Sequence, residues 1–133
     1  MEEWIKPYGF DTTDGVAFVY RITFSDSGHY YYGSKKIWKG IKDIKRLKDT
    51  TKESDWLSYN TSSTTCKQWI AEGRPHRKEI LAVLPTWNQC LYVESSLICF
   101  YGTDPLSLNY ALMSKIRIPK DPDLWNVVRG IIG

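Results

Sequence analysis

The stretch FVYRITFSDSGHYYYG, residues 18–33, decides how this chain is read. From Ala17 to Phe24 the residues alternate, with Phe18, Tyr20, Ile22 and Phe24 on one side. That is the period of a strand, and the residues are good β-formers. Ser25-Asp26-Ser27-Gly28 has turn chemistry, and His29 to Ser34 returns as a second strand. Residues 17–34 are therefore predicted to form a β-hairpin. Two registers are open. A direct loop pairs Phe24 with His29, Ile22 with Tyr31 and Tyr20 with Gly33. Tyr20 and Tyr31 then share a face, and Tyr20 stands uncrowded opposite a glycine. A bulge at Gly28 shifts the parity by one and brings Tyr32 to that face instead.

Working outward, Ser34–Lys52 holds eight basic residues, Lys35, Lys36, Lys39, Lys42, Lys45, Arg46, Lys48 and Lys52, against Asp43 and Asp49. The segment carries +6 and the rest of the chain −3. A basic block beside aromatic residues suits a phosphate backbone; a solvated face is the plainer alternative. Ile37, Ile41, Ile44 and Leu47 or Lys48 hint at a helical stripe here, which Gly40 weakens. ESDWLSYNTSS is polar and turn-like. TTCKQWIAEG is predicted to be a short helix, capped by Ser63 or Thr64 and stopped at Gly73. RKEILAVLP gives a third strand, its apolar run Ile80–Leu84 ending at Pro85. Thr86 and Gln89 form a capping box, which starts a helix from Trp87 to about Tyr101 that stops at Gly102. Beyond it lie a loop, a short helix and a tail, with Trp125, Val127, Val128, Ile131 and Ile132 expected to dock on the core. The order β-β-α-β-α predicts one small α/β (α+β) domain over 1–133. Its sheet is expected to be three-stranded and mostly antiparallel, flanked by helices.

At 133 residues the chain is long enough to bury a core without disulfides or a structural metal. Cys66, Cys90 and Cys99 are odd in number and lack CxxC spacing, which fits reduced thiols in a cytoplasmic protein. The opening MEEWIKPYGF is acidic and polar, unlike a signal peptide, and no run has the length of a membrane span. P-loop, Rossmann and Ser-His-Asp patterns are absent. His29 and His76 are isolated and are expected to be surface or hydrogen-bonding residues.

One residue is out of place. The core stripe predicted for the long helix is Cys90, Leu91, Glu94, Leu97, Ile98 and Tyr101. Glu94 sits in its middle and is the sole carboxylate from Ile80 through Thr103. A carboxylate on an apolar face is costly unless it is paired, for example with Arg77, or holds a metal. A single carboxylate cannot build a glycosidase pair, but it can anchor a Mg²⁺ that keeps most of its waters.

Phe18-Val19-Tyr20, ten residues, then Tyr31-Tyr32-Gly33 resembles the paired signature of the GIY-YIG nucleases, with Phe18 in place of the first glycine. SDWLSYNTSS with the short helix after it resembles the middle of phage-encoded stand-alone members. HRKEIL resembles their third strand, LYVESSLI the helix with the single metal-binding glutamate, and DPLSLNYAL the segment that supplies an asparagine. The resemblance spans about Phe18 to Leu112.

The resemblance implies Mg²⁺-dependent hydrolysis of DNA phosphodiester bonds, with Mn²⁺ as a substitute. Glu94 would bind the metal. Tyr20 would be the general base and Tyr31 would assist it, with Lys35 or Lys36 favouring phenolate. The family arginine falls at Ile41, so Arg46 is the expected substitute, with Lys35, Lys36 and Lys42 as alternatives. Asn109 and His29 would orient groups. Lys35, Lys36, Lys39, Lys42, Lys45, Ser62 and Ser63 would contact DNA. One metal and one site nick one strand, as a monomer, and double-strand cleavage would need a dimer or a partner protein. About twenty residues follow the matched region, which implies low sequence specificity. Two other classes compete: a catalytically inactive nucleic-acid-binding domain on the same fold, and a protein-interaction module without salt-dependent DNA affinity.

Overall fold

The computed structural model describes residues 4–112, 118 and 120–133. Strands β1 (Trp4–Ile5), β2 (Ala17–Phe24), β3 (Tyr30–Lys36) and β4 (His76–Leu84) form one sheet in the order β1-β4-β2-β3. Helices α1 (Thr64–Ala71), α2 (Trp87–Tyr101) and α3 (Pro122–Ile132) flank it. β2 is central and antiparallel to both β3 and β4. The sheet has four strands rather than the expected three. The added strand is the short β1, which lies parallel to β4. Two residues carry almost no alternation, so it left no pattern to read.

The hairpin takes the direct register. Tyr20 faces Gly33 and Ile22 faces Tyr31, and the Phe24 N–H donates to the His29 carbonyl at 2.8 Å. Gly28 closes the turn at φ +80, a conformation that suits glycine. Across β4, Val19 pairs with Ala82 and Tyr20 with Ile80, so Leu81 is an extra residue in a bulge.

Alternation along β2 sorts the core into two layers. Phe18, Tyr20, Ile22 and Phe24 pack with Trp4, Trp56, Ile80 and Cys66 of α1. Ala17 and Val19 pack on the other face with Tyr32 and with Cys90, Val93, Leu97 and Ile98 of α2. α3 adds Leu124 and Val128 to that second layer, with Val127, Ile131 and Ile132 half-buried against it. Trp125 does not dock as expected: it is 61% exposed, with Arg129 over its ring. Part of the segment expected to form a loop and short helix after Gly102, residues 113–117 and 119, lies outside the described residues.

Both other helices begin as the sequence predicts. The Ser63 hydroxyl accepts from the Cys66 N–H, and the Thr86 hydroxyl accepts from the Gln89 N–H. The basic segment is not helical. It is an irregular excursion with one 3-10 turn at Ile44–Arg46, and Gly40 sits at φ +75. Its ends are tied by the bridge between Trp38 and Glu53, and the Lys39 N–H donates to the Lys52 carbonyl. Its middle is tied to the start of α2, where the Trp87 N–H donates to the Lys42 carbonyl. Among the described residues, no helix is long and apolar enough to cross a membrane.

Gly33 tests the packing. A Cβ there would collide with the Tyr20 ring and hydroxyl, whereas Gly130 in α3 has open space around it. Urea unfolding of Gly33→Ala should show a loss of about 1–3 kcal/mol. Gly130→Ala should gain about 0.5–1 kcal/mol. Wild-type stability of Gly33→Ala would mean that Tyr20 does not need the glycine.

Candidate active site

β3 is the edge strand of the sheet, and the candidate site wraps around it. Tyr31 lies on the face that carries Tyr20, whereas Tyr32 and Ser34 lie on the face covered by α2. A cavity of about 320 Å³ joins the two sides. Tyr31, Glu94, Asn109 and the start of α1, Ser63 to Thr65, line it.

Glu94 is half-buried rather than central to the helix stripe. The buried stripe of α2 runs through Cys90, Val93, Leu97 and Ile98. Val93 therefore takes the place expected for Leu91, and Glu94 falls on the flank. Burial raises its pKa above the usual carboxylate range, while the nearby Ser34 hydroxyl pulls the other way. That hydroxyl is itself buried and makes no well-formed hydrogen bond. Among the described residues no cation pairs with Glu94. Arg77, the expected structural partner, instead bonds Glu79 at 3.1 Å.

Tyr20 is fully buried. Its hydroxyl lies 3.2 Å from Thr61 Oγ1, and the same oxygen accepts from the Ser63 N–H. Burial pushes its phenol well above the ordinary value, and Tyr59 adds to this. Tyr31 is half-buried, and its hydroxyl lies 3.2 Å from Ser62 Oγ. Desolvation raises its pKa, Ser62 lowers it, and the charge of Glu94 raises it further.

Asn109 is buried and uses both ends of its amide on one backbone. Its Oδ1 accepts from the Tyr32 N–H and its Nδ2 donates to the Tyr32 carbonyl, each at 2.9 Å. The side chain thus pairs with β3 as a neighbouring strand would. Beside it, the Tyr30 N–H donates to the Leu106 carbonyl and the Leu108 N–H to the Tyr30 carbonyl.

The basic residues are dispersed. Arg46 lines a separate cavity with Lys42, Lys48 and Thr51 and is not brought to Glu94. Lys39, Lys42 and Lys45 are exposed on the same excursion. Lys35 bonds Asp55 at 2.6 Å and lies over the Tyr59 ring, and Lys36 lies over Trp87. His29 bonds the Ser27 hydroxyl in the hairpin turn and packs on Trp69, away from the cavity lining. The sequence reading missed Thr61, Thr64, Thr65 and Ser34. The hydroxyl-rich run Thr61–Thr65 ahead of a helix was the available signal for the first three. Ser34 had none, since its importance arises only from packing against α2.

No curated protein and no solved structure gives a significant match to the chain. A family model does, described as "Putative endonuclease segE, GIY-YIG domain", over residues 4–103. The match starts ahead of the tyrosine hairpin, takes in Tyr20, Tyr31 and Glu94, and ends before Asn109. It covers three-quarters of the chain, which therefore belongs to the SegE-type GIY-YIG endonuclease domain family.

Proposed function

We propose that the chain is a metal-dependent DNA endonuclease that nicks one strand per site with low sequence specificity. The observation that carries this is Glu94: a half-buried carboxylate with no cation partner among the described residues, opening on a cavity with Tyr31 and the start of α1. The donor set fits a hard cation that retains most of its water, Mg²⁺ or Mn²⁺. Among the described residues there is no cluster of three or more His, Cys, Asp or Glu side chains that would suit zinc. Glu94 would hold the ion, which supplies Lewis acidity to the phosphate and the leaving 3′ oxygen.

The two tyrosines divide the work differently from the expectation drawn from the family. Tyr20 is sealed from solvent and remains a neutral phenol, so it cannot meet an attacking water. We assign it a positioning role, through Thr61, on the loop that leads to Ser63. Tyr31 lines the cavity, and its hydroxyl, supported by Ser62, orients the water. The Thr64 and Thr65 amides, in the first turn of α1, have no acceptor among the described residues. They suit a phosphate oxygen at a helix N-terminus. Asn109 keeps β3 in place. The exposed lysines and Arg46 hold the DNA backbone.

A supercoiled plasmid with Mg²⁺ tests this. Open circles should form with Mg²⁺ and not with EDTA. Tyr31→Phe and Glu94→Ala should each slow nicking by roughly 10²–10³, and Tyr20→Phe by about tenfold or less. Salt-sensitive binding without nicking would favour the inactive DNA-binding reading, which the separation of Arg46 from Glu94 supports.

The burial of Glu94 yields a second test without turnover. Its pKa is higher in the folded than in the unfolded chain. Folding is therefore favoured below the unfolded value, and that advantage is lost as pH rises through the folded one. Glu94→Gln should raise the metal-free Tm at neutral pH by about 3 °C, and the gain should vanish in acid. Mg²⁺ should raise the wild-type Tm and leave the variant unmoved. Equal responses would remove Glu94 from the metal site.

A further inference from the structure

A second pocket of about 310 Å³ opens on the α2 side of the sheet, where Tyr30 and Tyr32 face away from Tyr31. Two of its lining residues are cations, Arg21 of β2 and Arg77 of β4. Both are anchored on the same atom: Glu79 Oε1 accepts from Arg21 Nη2 at 3.3 Å and from Arg77 Nε at 3.1 Å. Glu79 itself does not line the pocket. The Tyr32 hydroxyl accepts from Arg21 Nη1 at 3.5 Å, which leaves its own proton free to donate. Asp104 also lines the pocket, as a carboxylate whose hydrogen bonds favour its charged form, so the two guanidiniums must outweigh it. It accepts from the Tyr30 hydroxyl at 2.6 Å and from the Leu106 N–H at 3.0 Å.

Two polar groups in this pocket are left over. Arg21 Nε and Thr23 Oγ1 are both buried and have no hydrogen-bond partner. Buried donors are nearly always met in folded proteins, by protein, water or ligand, so two unmet ones on residues that line one pocket mark a place for a polar occupant. The available donors are one guanidinium nitrogen, Arg21 Nε, then a second guanidinium, a hydroxyl and a phenol. A tetrahedral oxyanion accepts from all four kinds at once, and Arg forks match phosphate geometry.

We propose that this pocket binds a phosphate group through Arg21 Nε, the Thr23 and Tyr32 hydroxyls and the Arg77 guanidinium. The phosphate belongs either to a DNA backbone, in which case the site rests on the nuclease reading, or to a free phosphate or nucleotide.

The test uses the full chain in EDTA, so that cleavage plays no part, with Thr23→Val and Arg77→Gln as variants. Thr23→Val removes an unmet hydroxyl and keeps the shape, and Arg77 is half exposed, so both should fold. In the first arm, Tm is read in inorganic phosphate against chloride at equal ionic strength. Phosphate should raise the wild-type Tm, and the rise should be lost in both variants. In the second arm, binding to a short duplex is read against salt. If DNA is the source, both variants bind about tenfold more weakly, the worth of one charge-assisted hydrogen bond. Arg77→Gln alone should also lower the slope of log affinity against log salt by about 0.9. A variant-sensitive result in the first arm alone identifies free phosphate as the source. If neither arm responds to the variants, the pocket binds no phosphate. The first arm is independent of nuclease activity, so it stands even if the plasmid assay fails.

Discussion

The Tyr20 ring lies where Gly33 has no side chain, and the rest of the site follows from that contact. Any larger residue at Gly33 would force the ring away and release the pairing of Tyr20 with it. Pairing fixes the register of β3, and register fixes parity, because side chains alternate along a strand. Tyr31 then joins Tyr20, while Tyr32 and Ser34 face α2. A slip of one residue would exchange those two sets. Tyr31 would then lie under α2, and Ser34 would leave the neighbourhood of Glu94. The glycine that closes the second motif therefore determines which tyrosine reaches the cavity.

The sequence was most legible where a local rule sufficed. The hairpin, both capped helices and β4 follow from periodicity, turn residues and caps, and α2 ends where Gly102 predicts. It was least legible where long-range contacts decide. β1 is too short to carry a pattern. The basic excursion has a partial helical stripe, but its backbone is bound instead to Pro85, Trp87 and the Glu53 side of its own loop. Tertiary hydrogen bonds there outweigh a propensity that Gly40 had already weakened. Helical phase places Glu94 near the buried stripe, which keeps Cys90, Leu97 and Ile98 and turns by only a fraction of one residue's 100° toward Val93. The true stripe passes through Val93, which moves the carboxylate from the core to the cavity wall.

Asn109 shows how a residue can shape a cavity wall by holding backbone. An edge strand exposes unpaired N–H and carbonyl groups. Here the backbone of Leu106 and Leu108 pairs with Tyr30, and the Asn109 amide takes over at Tyr32. Among the described residues of this segment, that pairing goes no further than Tyr32.

The distribution of charge argues for a division by range. The basic excursion is tied to the first residues of α2, and Glu94 lies seven residues further on, about 10 Å along the helix axis. At physiological salt, exposed charges are screened over about 8 Å. On the proposed reading, Lys39, Lys42, Lys45 and Arg46 would draw in and hold a polyanion, and would contribute little to charge that develops at Glu94. On that same reading, charge there would be met at short range, by an ion on the carboxylate and by the first amides of α1. A guanidinium is not required at the cavity if those two suffice, which is why Ile41 at the usual arginine position does not by itself argue against catalysis.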